Sequence, residues 1–220
     1  MTDTKAEKRI VSVGPMALEG VLRIPPDPKG LVIFAHGAGS SHLSTRNNHV
    51  AKELGKRGIA TLLFDLLTEH EETDRANVFD IPLLSTRMVE AIDWLRSSSD
   101  IPALPIGLFG ASTGAAAALV AAAEMPDDIR AVVSRGGRAD MAGDALPQVK
   151  APVLLIVGGA DHDVVELNEA AAKLLTCRKE LAIVPGATHL FGEPGALEQV
   201  VELAANWFQT YLAGAREAET

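Results

Sequence analysis

The chain has 220 residues, 47% of them hydrophobic and 22% charged, which supplies one α/β core and excludes a disordered chain. Its 20 Lys and Arg stand against 29 Asp and Glu, a net charge of -9 with no basic block, so a nucleic-acid partner, which needs a basic face, is not expected. The opening MTDTKAEKRI lacks the apolar core of a signal peptide, no apolar run approaches the ~20 residues of a membrane span, and Cys177 alone makes no internal disulfide. A single domain over residues 1–220, cytoplasmic and off the membrane, is the expectation.

Two β-rich runs come first, Arg9–Val13 and Leu18–Ile24, separated by Gly14 and Pro15 and read as an antiparallel hairpin. Six apolar runs follow: Leu31–His36, Ile59–Asp65, Leu104–Gly110, Ile129–Arg135, Pro152–Gly158 and Glu180–Gly186. Each reads as a fully buried strand. The segments between them carry apolar residues at three- and four-residue steps, as in Leu84, Met88, Ala91, Ile92 and Leu95, the period of helices covering a parallel sheet. A second such stripe runs from Leu197 through Val200, Val201, Ala204, Trp207 and Phe208 to Tyr211. The link from Arg135 to Pro152 is too short for a large inserted cap domain, and the closing GAREAET reads as a frayed polar end.

In an open parallel sheet, ligands gather at the carboxyl ends of the strands. Those ends carry HGAGSSH (His36–His42), GASTG (Gly110–Gly114), RGGRAD (Arg135–Asp140), GADHD (Gly159–Asp163) and ATHLF (Ala187–Phe191). A serine thrown out on a sharp strand-to-helix turn needs small residues two before and two after it, and Gly110 and Gly114 meet that demand around Ser112. The competing role for Ser112 is a simple N-cap on the alanine helix that follows.

A serine needs a base to become a nucleophile, and the base needs an acid to hold its tautomer. Asp161 and His189 supply both in the chain order Ser, Asp, His, with spacings of 161 − 112 = 49 and 189 − 161 = 28 residues, room for the intervening elements. Asp163 and Asp140 are rival acids. The backbone N–H groups of Thr113 and Ala38 are the candidate oxyanion donors, and His36 reads as a brace for its loop. Arg46, Arg75, Arg135 and Arg138 are candidates for holding a carboxylate or phosphate on the substrate, with Asn47 and Asn77 beside two of them. His42 and His49 read as a solvated helix face, and Cys177 as a core residue. HGAGSSH lacks the G-K-[ST] of a P-loop, and no zinc-ligand spacing occurs, so neither cofactor nor metal is expected.

The segments VIFAHGAGSS, LLFDLL, GLFGASTGAAAAL, LLIVGGADHDVV and IVPGATHLF together resemble the small α/β-hydrolases grouped with dienelactone hydrolase, over nearly the whole chain. That resemblance implies an α/β-hydrolase fold: an eight-stranded, mostly parallel sheet, its second strand antiparallel, with helices on both faces. It carries Ser112, Asp161 and His189 to the triad positions and Ala38 and Thr113 to the oxyanion ones. The family proper has cysteine where Ser112 stands, so dienelactone itself is not the expected substrate. Hydrolysis of a small-molecule ester in a shallow, open pocket is the expectation; a thioesterase, a small peptidase and a catalytically silent binding scaffold share the same frame.

Overall fold

The computed structural model describes residues 6–213; the GAREAET end lies outside them. Eight strands form one sheet: β1 (Glu7–Val13), β2 (Leu18–Ile24), β3 (Gly30–Ala35), β4 (Ile59–Phe64), β5 (Ile106–Ala111), β6 (Ile129–Arg135), β7 (Val153–Gly158) and β8 (Lys179–Val184). Their spatial order is β1-β2-β4-β3-β5-β6-β7-β8. β2 runs antiparallel to both β1 and β4, and every other pairing is parallel. The predicted strands match these within a residue or two at each end.

The helices are α1 (Thr45–Lys56), α2 (Glu69–Glu72), α3 (Ile81–Ser97), α4 (Thr113–Glu124), α5 (His162–Leu174) and α6 (Ala196–Leu212). Val50, Ala51 and Leu54 of α1 pack with Val200, Ala204 and Phe208 of α6 on one face of the sheet. On the other face α3 and α4, the 3-10 run Ala139–Gln148 and Ala171 of α5 build a second core. α4 lies in the middle of that layer. It is buried almost all round, which is why its face carries alanines where an amphipathic helix would alternate with polar residues.

One expectation fails here. β8 is not a fully buried strand: it stands at the edge of the sheet, and only Val184 of its six residues is buried. Its last four residues, Leu181–Val184, are as apolar as β7, but Lys179 and Glu180 open it, and a strand with one neighbour is covered less on both sides. The polar stretch after β4 holds α2, closed by a capping box in which Thr68 and Glu71 satisfy each other's backbone N–H groups.

Candidate active site

The sharp turn at the end of β5 sets the site. Ser112 has φ 51 and ψ -123, a left-handed conformation that a non-glycine residue holds only when its surroundings impose it. A Cβ on Gly110 would lie 2.3 Å from Ala115 Cα, and one on Gly114 would lie 2.3 Å from the Ala35 carbonyl oxygen. The glycines let α4 start directly against the ends of β3 and β5. Ser112 precedes the first helical residue, yet its side chain makes no capping bond, so its hydroxyl is not spent on the helix. Its N–H donates to the Arg135 carbonyl at 3.3 Å, and its own carbonyl accepts from Arg138 N–H at 3.0 Å, tying the turn to the end of β6.

Asp161 and His189 are brought together by the ends of β7 and β8. Ala160 N–H donates to the Ala187 carbonyl at 2.9 Å and Gly159 N–H to the Val184 carbonyl at 2.8 Å, stitching the two loops. A Cβ on Gly158 would meet the Ala187 carbonyl at 2.4 Å, so glycine is required for that approach. His189 Nδ1 lies 2.7 Å from Asp161 Oδ2. An imidazole donating Nδ1–H to a carboxylate presents Nε2 as its basic nitrogen. Phe191, buried and at φ 52, anchors the histidine loop in the core, while the Glu193 carboxylate accepts from both the Thr188 hydroxyl and the Thr188 N–H. These bonds hold the Glu193 carboxyl below the usual carboxylate range. On the other side, Gly136 follows β6 with its Cα hydrogen aimed at His189, where a Cβ would come within 3.5 Å of Nδ1.

The rival acids stand elsewhere. Asp140 takes both Nε and Nη2 of Arg138, at 2.9 and 2.7 Å, and Asp163 is exposed in the first turn of α5. Ala38 and Thr113 lie together, through a bond that sequence does not reveal: Ala38 N–H donates to Thr113 Oγ1 at 3.1 Å. Gly37 passes so close to Ser112 that a Cβ there would lie 2.8 Å from Ser112 Cβ. A small cleft between His36–Gly39, Leu66, Leu67, Val78 and Thr113 flanks this loop. A cavity of about 480 Å³ opens at the opposite end of the strands beside Leu104–Ile106, where the Arg96–Asp128 ion pair fills its polar edge. It is remote from Ser112 and holds none of the residues just described.

His36 is the brace expected of it: Nε2 accepts from Leu66 N–H at 3.0 Å and Nδ1 lies 3.0 Å from the Gly37 carbonyl, the pattern of a neutral ring. Burial holds its pKa below the ordinary value. The unfolded chain therefore binds a proton that the folded one refuses, so this contribution to stability is whole above about pH 6.5 and shrinks as the pH falls below it. Urea midpoints measured between pH 7 and pH 5 are expected to fall more steeply for the wild type than for His36→Gln.

His42 departs from prediction. It is buried ahead of α1, with its N–H and Nδ1 bound to Asp65 at 2.7 and 2.8 Å, locking the loop after β3 to the end of β4. His49 does lie on α1, partly exposed, near Glu198. Cys177 is half-buried in the loop after α5, at the margin of the core rather than within it. Of the four arginines, Arg75 is exposed, Arg138 is neutralised by Asp140, and Arg46 and Arg135 sit together beside Asn47.

The α/β hydrolase domain family model matches residues 28–207. A dienelactone hydrolase from Anabaena variabilis is 53% identical, with 94% of this chain and 99% of that one covered and a TM-score of 0.91. The chain belongs to the dienelactone hydrolase-like family of α/β hydrolases. Est1E from Butyrivibrio proteoclasticus shares the fold at a TM-score of 0.76 and 19% identity, over 95% of this chain and 99% of its own. A Mycobacterium tuberculosis protein provisionally named a phosphoribosyl transferase is 56% identical over 204 residues, 93% of this chain and 46% of that protein, so the chain spans about half the length of this curated relative. Among the described residues no helix is long and apolar enough to cross a membrane.

Proposed function

We propose that the chain is a serine hydrolase that cleaves small carboxylic esters through an acyl-enzyme on Ser112. The observation that carries this reading is the strained Ser112 turn, its hydroxyl left free of the helix, on the same sheet edge as an Asp161–His189 pair at 2.7 Å. His189 Nε2 takes the Ser112 proton as Oγ attacks the ester carbonyl. The N–H groups of Thr113 and Ala38 receive the oxyanion, and His189 returns the proton to the departing alcohol. Water then repeats the cycle and releases the acid. Asp161 fixes the ring and supports its charge.

The apolar side chains Leu43, Phe79 and Leu190 stand exposed on the segments that follow β3, β4 and β8 at the carboxyl edge of the sheet, the edge that carries Ser112, which favours an ester with a modest apolar part over a fully polar one. The name of the mycobacterial relative applies to a protein about twice as long, and the transferase activity in it is not needed to account for the residues around Ser112.

Turnover of p-nitrophenyl esters from acetate to decanoate tests the reading. The Asp161→Asn variant, which keeps the shape of the pair but supplies the wrong tautomer, is expected to lose about 10⁴-fold in kcat with little change in KM. Equal turnover by the two proteins would remove Asp161 from the mechanism.

A further inference from the structure

Arg135 is a buried cation with almost nothing to neutralise it. Only 8% of the residue is exposed; Nη2 donates to Asn47 Oδ1 at a long 3.4 Å, and Nε and Nη1 are buried with no partner. Burial and the nearby Arg46 charge press its pKa down to about 10, which still leaves it protonated at neutral pH. Arg87, buried to the same degree, shows the usual solution: Glu71 and Glu90 bind it at 2.8 and 3.0 Å. Among the described residues no carboxylate pairs with Arg135 or Arg46, although acidic groups outnumber basic ones in the chain. An unpaired buried charge is a large standing cost, and two like charges side by side add to it.

The surroundings are those of an anion site. Arg46 and Asn47 lie in the first turn of α1, a twelve-residue helix with no acidic residue in that turn. The Ser44 hydroxyl caps the Asn47 N–H, and the positive dipole end of the helix favours a negative ligand. Asn47 is buried, and with Oδ1 turned to Arg135 its amide N–H₂ remains available. The backbone that carries Arg135 runs beside the nucleophile turn: its carbonyl accepts the Ser112 N–H, and the next residue, Gly136, packs on His189.

From this arrangement we infer that Arg135, Arg46 and Asn47 form a subsite for a phosphate monoester group carried by the ester substrate. A carboxylate brings one negative charge to two guanidiniums, whereas a phosphate monoester brings close to two and offers three acceptor oxygens, matching both cations and the helix end. The substrate assignment rests on the serine-esterase reading; the anion site does not.

Thermal unfolding of the full chain in inorganic phosphate, against chloride at equal ionic strength, tests the site directly, since a ligand bound to the folded form raises Tm with its concentration. Phosphate is expected to raise the wild-type Tm progressively. Arg46→Gln should weaken the apparent phosphate affinity about tenfold or more, the loss of one charge-assisted contact. Arg135→Met should abolish the phosphate response while matching or exceeding the wild-type Tm in phosphate-free buffer, because it removes an unpaired buried charge. A lower Tm for Arg135→Met in that buffer would make Arg135 a structural brace and overturn the inference, as would a wild type that responds no more to phosphate than to chloride. An equal response to acetate or succinate overturns the choice of phosphate. For turnover, the ratio of kcat/KM for a phosphate-bearing ester over its neutral analogue should fall at least tenfold in Arg46→Gln. Fluorophosphonate labelling of the wild type reads the serine separately: its absence alongside an intact phosphate response overturns the ester substrate and leaves the anion site standing.

Discussion

Replacing Ser112 by alanine is expected to lower ester turnover by on the order of 10⁶-fold and to abolish fluorophosphonate labelling, while leaving the urea midpoint at or above that of the wild type. On the proposed mechanism the kinetic loss follows from removing the group that forms the acyl bond, and what survives is the oxyanion donors acting on water. The stability expectation follows from the backbone. Ser112 holds φ 51 and makes no side-chain hydrogen bond to the helix, so alanine removes no cap, and the strain of the turn is unchanged by it. An ordinary N-cap serine would behave in the opposite way, costing about 1 kcal/mol of stability and nothing in turnover. The paired measurement therefore separates the two roles that the sequence leaves open.

Gly114→Ala is expected to damage both fold and turnover. Its Cβ would fall 2.3 Å from the Ala35 carbonyl oxygen and 2.4 Å from that of His36, and neither neighbour is a side-chain end able to swing aside. α4 must retreat from β3, or the loop after β3 must lift. Either movement parts Ala38 from Thr113, which now meet at 3.1 Å. A loss of about 4 kcal/mol in unfolding free energy is expected, at the far end of what single substitutions do, together with a fall in kcat that exceeds any change in KM. Urea unfolding with an unchanged m-value and steady-state kinetics on one p-nitrophenyl ester check both parts.

Much of this molecule is legible in its sequence, for identifiable reasons. Buried parallel strands must be apolar throughout, and the turns after them must be small, so β3 to β7 and the GASTG turn announce themselves. The order of Ser112, Asp161 and His189 along the chain then selects the residues that share one edge. What stays hidden depends on neighbours that composition does not encode. The exposure of β8 follows from its place at the end of the sheet order, and ELAIVPG reads no differently from a central strand. His42 looks like a surface histidine until Asp65, 23 residues on, is folded against it. Arg135 and Arg46 are candidates in the sequence alongside Arg75 and Arg138; the folded chain separates them, because Asp140 binds Arg138 while, among the described residues, no carboxylate pairs with Arg135.

The bond from Ala38 N–H to Thr113 Oγ1 has a further consequence on the mechanism proposed above. In this structure the Ala38 N–H is satisfied by a neutral hydroxyl. A substrate carbonyl, also neutral, competes with that hydroxyl on nearly equal terms and gains little by displacing it. The tetrahedral oxyanion is charged, and a hydrogen bond to a charged acceptor is roughly twice as strong. The threonine hydroxyl thus works as a threshold: it takes back the donor from bound substrate and yields it to the transition state, so the interaction raises kcat without tightening the ground-state complex.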